Sequence, residues 1–145
     1  MVYALEQIHR LLRPAGTLID IRPSPDAFPF VEVRSDGEQS FREDDPGFDY
    51  EDDLRHAERA VMTAVERGVF RLDQRRWFEM RTHASSVREL RDHWDVYGAY
   101  DAEEKEATLA RRQDAMYARA HEVLQRTSAA ELVYVEAATM TRLVS

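Results

Sequence analysis

The stretch EQIHRLLRPAGTLIDIRP, residues 6–23, joins an amphipathic pattern to a short apolar run through a Pro-x-Gly turn. The spacing of the apolar residues predicts a helix over residues 2–12. Pro14 and Gly16 end that helix, and residues 17–21 read as a strand buried on both faces. The helix pattern rests on Ala4, Leu5, Ile8, Leu11 and Leu12. This helix–turn–strand unit is typical of the middle of an α/β domain, yet here it begins close to Met1.

The rest of the chain alternates helical and strand patterns. Residues 30–34 and 39–42 flank a turn that contains Asp36-Gly37, which predicts a β-hairpin. A helix follows and stops at Gly68, and residues 69–82 are rich in strand formers, with charged residues 73–76 as an exposed segment or a turn. Ser86 and Glu89 form a capping box for a third helix. A charged helix over residues 101–126 and a last strand over residues 131–144 complete the pattern.

The length of 145 residues and the composition predict a single domain with a hydrophobic core. Its net charge of −8 argues against nucleic acid and anionic membranes as partners, because both attract basic surfaces. No apolar stretch approaches the length of a membrane span, and a cytoplasmic location is expected. The absence of Cys excludes disulfides and thiolate chemistry within this chain.

The segment from Ala4 to Ile21 resembles the entry to the fifth strand of class I S-adenosylmethionine-dependent methyltransferases. Those enzymes carry a helix reading roughly a-l-x-E-[IL]-x-R-v-L-[KR]-P-G-G at this point. Here Ala15 replaces the first Gly of the turn, and Gly16 keeps the residue expected to need an unusual φ. The resemblance implies an α+β fold with a small mixed sheet and flanking helices, like the second half of a Rossmann-like methyltransferase. It also implies that the last two strands form an antiparallel pair beside the fifth.

The cofactor-binding half of that family has no counterpart in this sequence. The family holds S-adenosylmethionine on a Gly-rich strand–turn–helix, but the chain contains no G-x-G, and its five glycines are isolated. We therefore expect a catalytically incomplete chain that binds no cofactor alone and has no catalytic residues of its own. S-adenosylmethionine is the cofactor that the resemblance implies for a completed enzyme.

The missing fourth strand leaves the predicted strand 17–21 without one neighbour. An apolar strand with unpaired backbone groups favours pairing with another chain. We expect a homodimer formed through Thr17, Leu18, Ile19 and Ile21, or a partner chain that supplies the missing strands, as in a split methyltransferase. The other alternative is a stand-alone α+β domain that binds a small ligand in a pocket.

The resemblance implies three candidate substrate contacts, Asp20, Arg22 and His83. Asp20 lies in the predicted strand whose end approaches substrate in the family, and a buried carboxylate needs a partner, for which Arg22 and Arg81 are candidates. His83 follows a strand whose end borders the acceptor pocket in the family. A structural hydrogen bond is the competing role for His83, and a salt bridge or an interface contact is the competing role for Asp20.

The acidic residues between Glu43 and Asp53, with His56, offer a possible cation site in which Asp52, Asp53 and His56 share one helix face. Their spacing matches no EF-hand. A solvated acidic run that stabilises a helix N-terminus is the favoured interpretation, and no metal is expected. His9 is expected on the polar side of the first helix.

Overall fold

The fold is described from a computed structural model, which covers residues 1–98 and 107–145. This part of the chain forms four helices and five strands. In chain order they are α1 (Val2–Leu11), β1 (Thr17–Pro23), β2 (Phe30–Ser35), β3 (Glu38–Asp44), α2 (Glu51–Glu66), β4 (Arg71–Ala84), α3 (Val87–Gly98), α4 (Ala107–Arg126) and β5 (Glu131–Val144). The predicted start of the fourth helix at Asp101 lies outside the described residues.

The strands form one open antiparallel sheet in which β5 has the most partners. β5 pairs with β1 through residues 138–144 and with β2 through residues 131–135, and it also pairs with β4. β3 pairs with β2. The α+β class with flanking helices is confirmed, but the prediction of a mixed sheet is wrong. β1 and β2 both run antiparallel to β5, and β3 runs antiparallel to β2, so these strands have no parallel neighbour within the described residues.

The chain divides into two compact units, and the single-domain prediction stays a prediction. The first unit comprises Met1–Ala27, Tyr50–Glu79 and Ala137–Ser145. Its core joins Leu5 of α1 to Val61 and Ala64 of α2, with Phe70 and Leu143. The amphipathic helix α1 is confirmed, yet Leu5 is its only buried residue and Leu11 is 87% exposed.

The second unit comprises Phe28–Asp49 and Met80–Glu136. Its core packs α3 and α4 against the β2–β3 hairpin and the start of β5, through Val33, Leu90, Met116 and Leu132. The predicted hairpin is confirmed. Asp36 and Gly37 both have positive φ angles, 51° and 83°, which is the backbone that this tight turn requires.

Of two local predictions about the backbone, one is confirmed in one of its two alternatives and the other is wrong. Residues 73–76 are exposed, as predicted, but they continue strand β4 instead of forming a turn. In the turn before β1, the positive φ of 59° belongs to Ala15. Gly16 is needed for space, because a Cβ atom there would lie 2.7 Å from the carbonyl oxygen of Arg13.

Candidate interaction surface

Strand β1 has one covered and one uncovered face. Leu18 packs into the core of the first unit beneath α1 and α2. On the opposite face, Thr17 is exposed, Ile19 is 48% exposed and Ile21 is 57% exposed. The prediction of a strand buried on both faces is therefore wrong, because the two helices of this unit cover only the face that carries Leu18.

One backbone edge of β1 is bonded to β5, and the other edge has no strand partner among the described residues. Ser145 donates its N–H to the carbonyl oxygen of Gly16 at 3.0 Å, and Ser24 donates to that of Ala137 at 2.7 Å. Gly16 and Ser24 flank β1, and both bonds follow the β1–β5 register. Because backbone direction alternates along a strand, the even-numbered residues of β1 direct their N–H and C=O groups toward β5. The odd-numbered residues direct theirs away from it. Within the described ranges β5 is the one strand that pairs with β1.

The neighbouring residues on β5 extend the uncovered face. Met140 lies opposite Ile21 and Arg142 lies opposite Ile19. The Arg142 guanidinium is 3.4 Å from a carboxylate oxygen of Asp73. The surface thus joins Ile19, Ile21 and Met140 into an apolar patch beside an ion pair.

Asp20 and Arg22 lie together on the covered face of β1. Arg22 donates to the Asp20 carboxylate at 2.6 Å, and the two side chains are 25% and 13% exposed, respectively. Their cross-strand neighbours are the buried Thr141 and Thr139. Arg22 is thus the partner that Asp20 needs. The other candidate, Arg81, belongs to the second unit and lies 3.6 Å from the buried Glu32.

His83 belongs to the second unit, whereas Asp20 and Arg22 belong to the first. Its Nδ1 atom is 2.9 Å from a carboxylate oxygen of Glu131. The His83 and Glu131 side chains are 53% and 49% exposed, so this is a surface contact. The structural hydrogen bond anticipated for His83 is present, and its role in substrate binding stays a prediction.

Sequence reasoning missed a buried polar cluster around Asp45 in the second unit. The Asp45 carboxylate accepts hydrogen bonds from the Gly47 N–H at 2.8 Å, from Gln113 at 2.9 Å and from the Tyr134 hydroxyl at 3.3 Å. Burial, and then the nearby Asp45 carboxylate, raise the pKa of Tyr117 far above its ordinary value. The sequence Asp45-Pro-Gly predicts an Asx turn, in which the Asp side chain bonds to the backbone two residues later. It does not predict the contacts of Asp45 with Gln113 and Tyr134, which are distant in sequence.

The acidic run shows no arrangement for a cation. Among the described residues, no group of three or more His, Cys, Asp or Glu side chains is placed to hold a metal ion. The His56 Nδ1 atom is instead 2.8 Å from the backbone carbonyl oxygen of Asp52. Glu51, Asp52 and Asp53 occupy the first turn of α2, where the helix dipole favours negative charge.

An open groove of about 540 Å³ lies in the first unit, between the end of α2 and the start of β4. Its lining includes His9, Val65, Phe70, Leu72 and Val144. His9 meets Phe70 edge to face, with ring centroids 5.3 Å apart, and is half-buried, although it was expected on the polar side of α1. This groove is a candidate site for a small apolar ligand.

Comparison with protein-family models, curated proteins and solved structures returned no match. None of the described helices combines the length and apolar character needed to cross a lipid bilayer. The interpretation of this chain therefore rests on its own residues.

Proposed function

We propose that this chain is a methyltransferase-like half-domain that acts by association, pairing with a second copy through β1, and that it does not bind S-adenosylmethionine alone. The observation that carries the proposal is the free edge of β1 next to exposed Ile19 and Ile21. A strand edge offers unpaired backbone donors and acceptors, and apolar side chains beside it gain free energy when a second strand covers them.

The strand order supports the methyltransferase-like part of the proposal. If β1 is the counterpart of the family's fifth strand, β4 and β5 are the counterparts of its last two strands. β4 pairs with β5, and β5 pairs with β1. This order agrees with the antiparallel pair beside the fifth strand that the resemblance implies.

Sedimentation velocity over a range of concentrations tests the association. We expect a reversible dimer, and we expect Ile21→Lys to shift the equilibrium strongly toward the monomer by placing an ammonium group in the apolar contact. The matched control is Leu11→Lys, which adds the same charge at an exposed residue of α1. A wild-type chain that stays monomeric up to high micromolar concentrations would refute pairing with a second copy. Recovery from the native host with a chain that carries a Gly-rich half would favour the split enzyme instead.

Isothermal titration calorimetry with S-adenosylmethionine tests the second part of the proposal. The isolated glycines of this sequence provide no cluster of backbone N–H groups for the cofactor, so no heat of binding is expected. Micromolar binding by this chain would contradict the proposed lack of a cofactor site.

The groove beside His9 supports a second candidate function, the binding of a small apolar ligand. Its volume lies within the range of roughly 300–1,000 Å³ that is usual for ligand sites. NMR titration with indole as the probe tests this candidate. Saturable shifts of the His9 resonances, lost in Phe70→Ala but kept in Tyr3→Ala, would support this candidate.

A further inference from the structure

We infer that the two copies pair their β1 strands antiparallel about a two-fold axis at Ile21, so that Asp20 of each copy faces Arg22 of the other. This inference rests on the proposed association and adds its register. The axis position follows from three properties of β1: its backbone edge, its charges and its exposed face.

The backbone edge limits the possible registers. The outward groups are the N–H of Thr17, Ile19 and Ile21 and the carbonyl oxygens of these residues and Pro23, which has no N–H. A two-fold axis perpendicular to the sheet must pass through a residue, because opposite residues of an antiparallel pair share one face. The axes that keep most of the strand paired pass through Ile19, Asp20 or Ile21.

Charge distinguishes these three registers. An axis at Asp20 places the Asp20 carboxylates of the two copies directly opposite each other, which is repulsive. An axis at Ile19 places each Asp20 opposite the partner's Leu18, an apolar side chain. An axis at Ile21 places each Asp20 opposite the partner's Arg22, so two carboxylates and two guanidiniums alternate across the junction. Only this register joins the existing Asp20–Arg22 pairs into one network.

The exposed face agrees with the same axis. With the axis at Ile21, this side chain meets the partner's Ile21, and Ile19 lies diagonal to both and opposite the partner's Pro23. Met140, the cross-strand neighbour of Ile21 on β5, continues the row in each copy. The apolar residues that are separate in one chain thus form an uninterrupted strip across two chains.

Single-cysteine variants test the register directly, because the chain contains no Cys. In Ile21→Cys, the two Cα atoms across the axis would be about 5.5 Å apart, within the range that a disulfide spans. In Ile19→Cys, the corresponding atoms would be offset by four residues, about 13 Å along the strand. We therefore expect oxidised glutathione to cross-link the Ile21→Cys dimer and to leave the Ile19→Cys and Asp20→Cys variants uncross-linked.

Charge reversal provides an independent readout. Asp20→Arg alone places two guanidiniums opposite each other at both ends of the junction, and Arg22→Asp alone does the same with carboxylates. We expect each variant to raise the dimer dissociation constant by roughly tenfold or more. An equimolar mixture of the two variants restores both cross-strand pairs, so a heterodimer is expected with close to wild-type affinity.

The outcomes separate the register from the association itself. If the wild-type chain dimerises but the cross-link forms in Ile19→Cys or Asp20→Cys, or in none of the three cysteine variants, the register is overturned. Either charge-reversal variant that dimerises like the wild type would also overturn it, because of the three axes only that at Ile21 places Asp20 opposite the partner's Arg22. A monomeric wild-type chain would overturn the proposed association and the register together.

Discussion

Among single residues, Asp45 has the most demanding environment. Its side chain lies in a buried part of the second unit and accepts hydrogen bonds from a backbone amide, a glutamine and a tyrosine. A buried carboxylate is stabilised only when several donors surround it. Asp45 thereby joins the segment after β3 to α4 and β5, which are distant in sequence.

We predict that Asp45→Ala lowers the free energy of unfolding by about 1–3 kcal/mol, since it removes the acceptor that Gln113 and Tyr134 share. Urea unfolding at neutral pH measures the change. Asp44→Ala, one residue earlier and exposed, is the matched control and is expected to change stability by less than about 0.5 kcal/mol. Equal effects from the two substitutions would show that the buried cluster adds nothing specific.

Among the secondary-structure elements, helix α3 begins with a variant of the predicted capping box. The Ser86 hydroxyl accepts a hydrogen bond from the Glu89 N–H at 3.1 Å, as predicted. The Glu89 carboxylate accepts from Ser85 instead of Ser86, from its N–H at 2.7 Å and its hydroxyl at 2.6 Å. These bonds to the ionised carboxylate hold the pKa of Glu89 below its ordinary value.

A lowered pKa fixes the direction of the pH effect. The contribution of Glu89 to stability is present above the unfolded pKa of about 4.3 and is lost as the pH falls through the lower folded value. We predict that Glu89→Gln is less stable than the wild type at pH 7 and that this difference shrinks through the acid range. Urea midpoints measured from pH 7 down to pH 3 test this, with Glu38→Gln at the exposed start of β3 as the charge-matched control. A difference that stays constant with pH would exclude the ionised cap.

The same elements show which parts of the fold could be predicted. Some elements are determined by residues close to each other in the sequence, so their turn and cap residues identify them. These are helix α1, the β2–β3 hairpin and the N-terminus of α3. The exposure of β1 depends on which helices cover the sheet, which no local pattern encodes. The apolar run 17–21 therefore predicts a strand buried on both faces, whereas only its Leu18 side is covered.

The contacts of the candidate site residues also divide into those that the sequence predicts and those that it does not. The pairing of Asp20 with Arg22 could be anticipated, because a carboxylate in an apolar strand requires a cation and Arg22 is two residues away on the same face. The contact of His83 with Glu131 joins residues far apart in sequence. The hydrogen bonds of Asp45 likewise depend on tertiary contacts, so the sequence alone does not distinguish Asp45 from the other acidic residues nearby.

For the molecule as a whole, association and stability are linked. A dimer that dissociates on unfolding gains stability from mass action, whereas a monomer has a midpoint independent of concentration. Pairing through β1 would protect the strand edge and the residues exposed beside it at the same time. The proposed interface therefore has a thermal signature that requires no knowledge of a substrate.

We predict that the thermal unfolding midpoint of the wild-type chain rises by roughly 2 °C for each tenfold increase in protein concentration, because folding is coupled to the formation of a dimer. Circular dichroism at several concentrations in matched buffer measures this slope. Ile21→Lys is expected to abolish the slope, and Leu11→Lys, with the same added charge on α1, is expected to keep it. A zero slope for all three chains, at concentrations where sedimentation detects a dimer, would mean that the copies associate without stabilising the fold. Such a result would contradict pairing along the free edge of β1, because that pairing is expected to stabilise the folded strand.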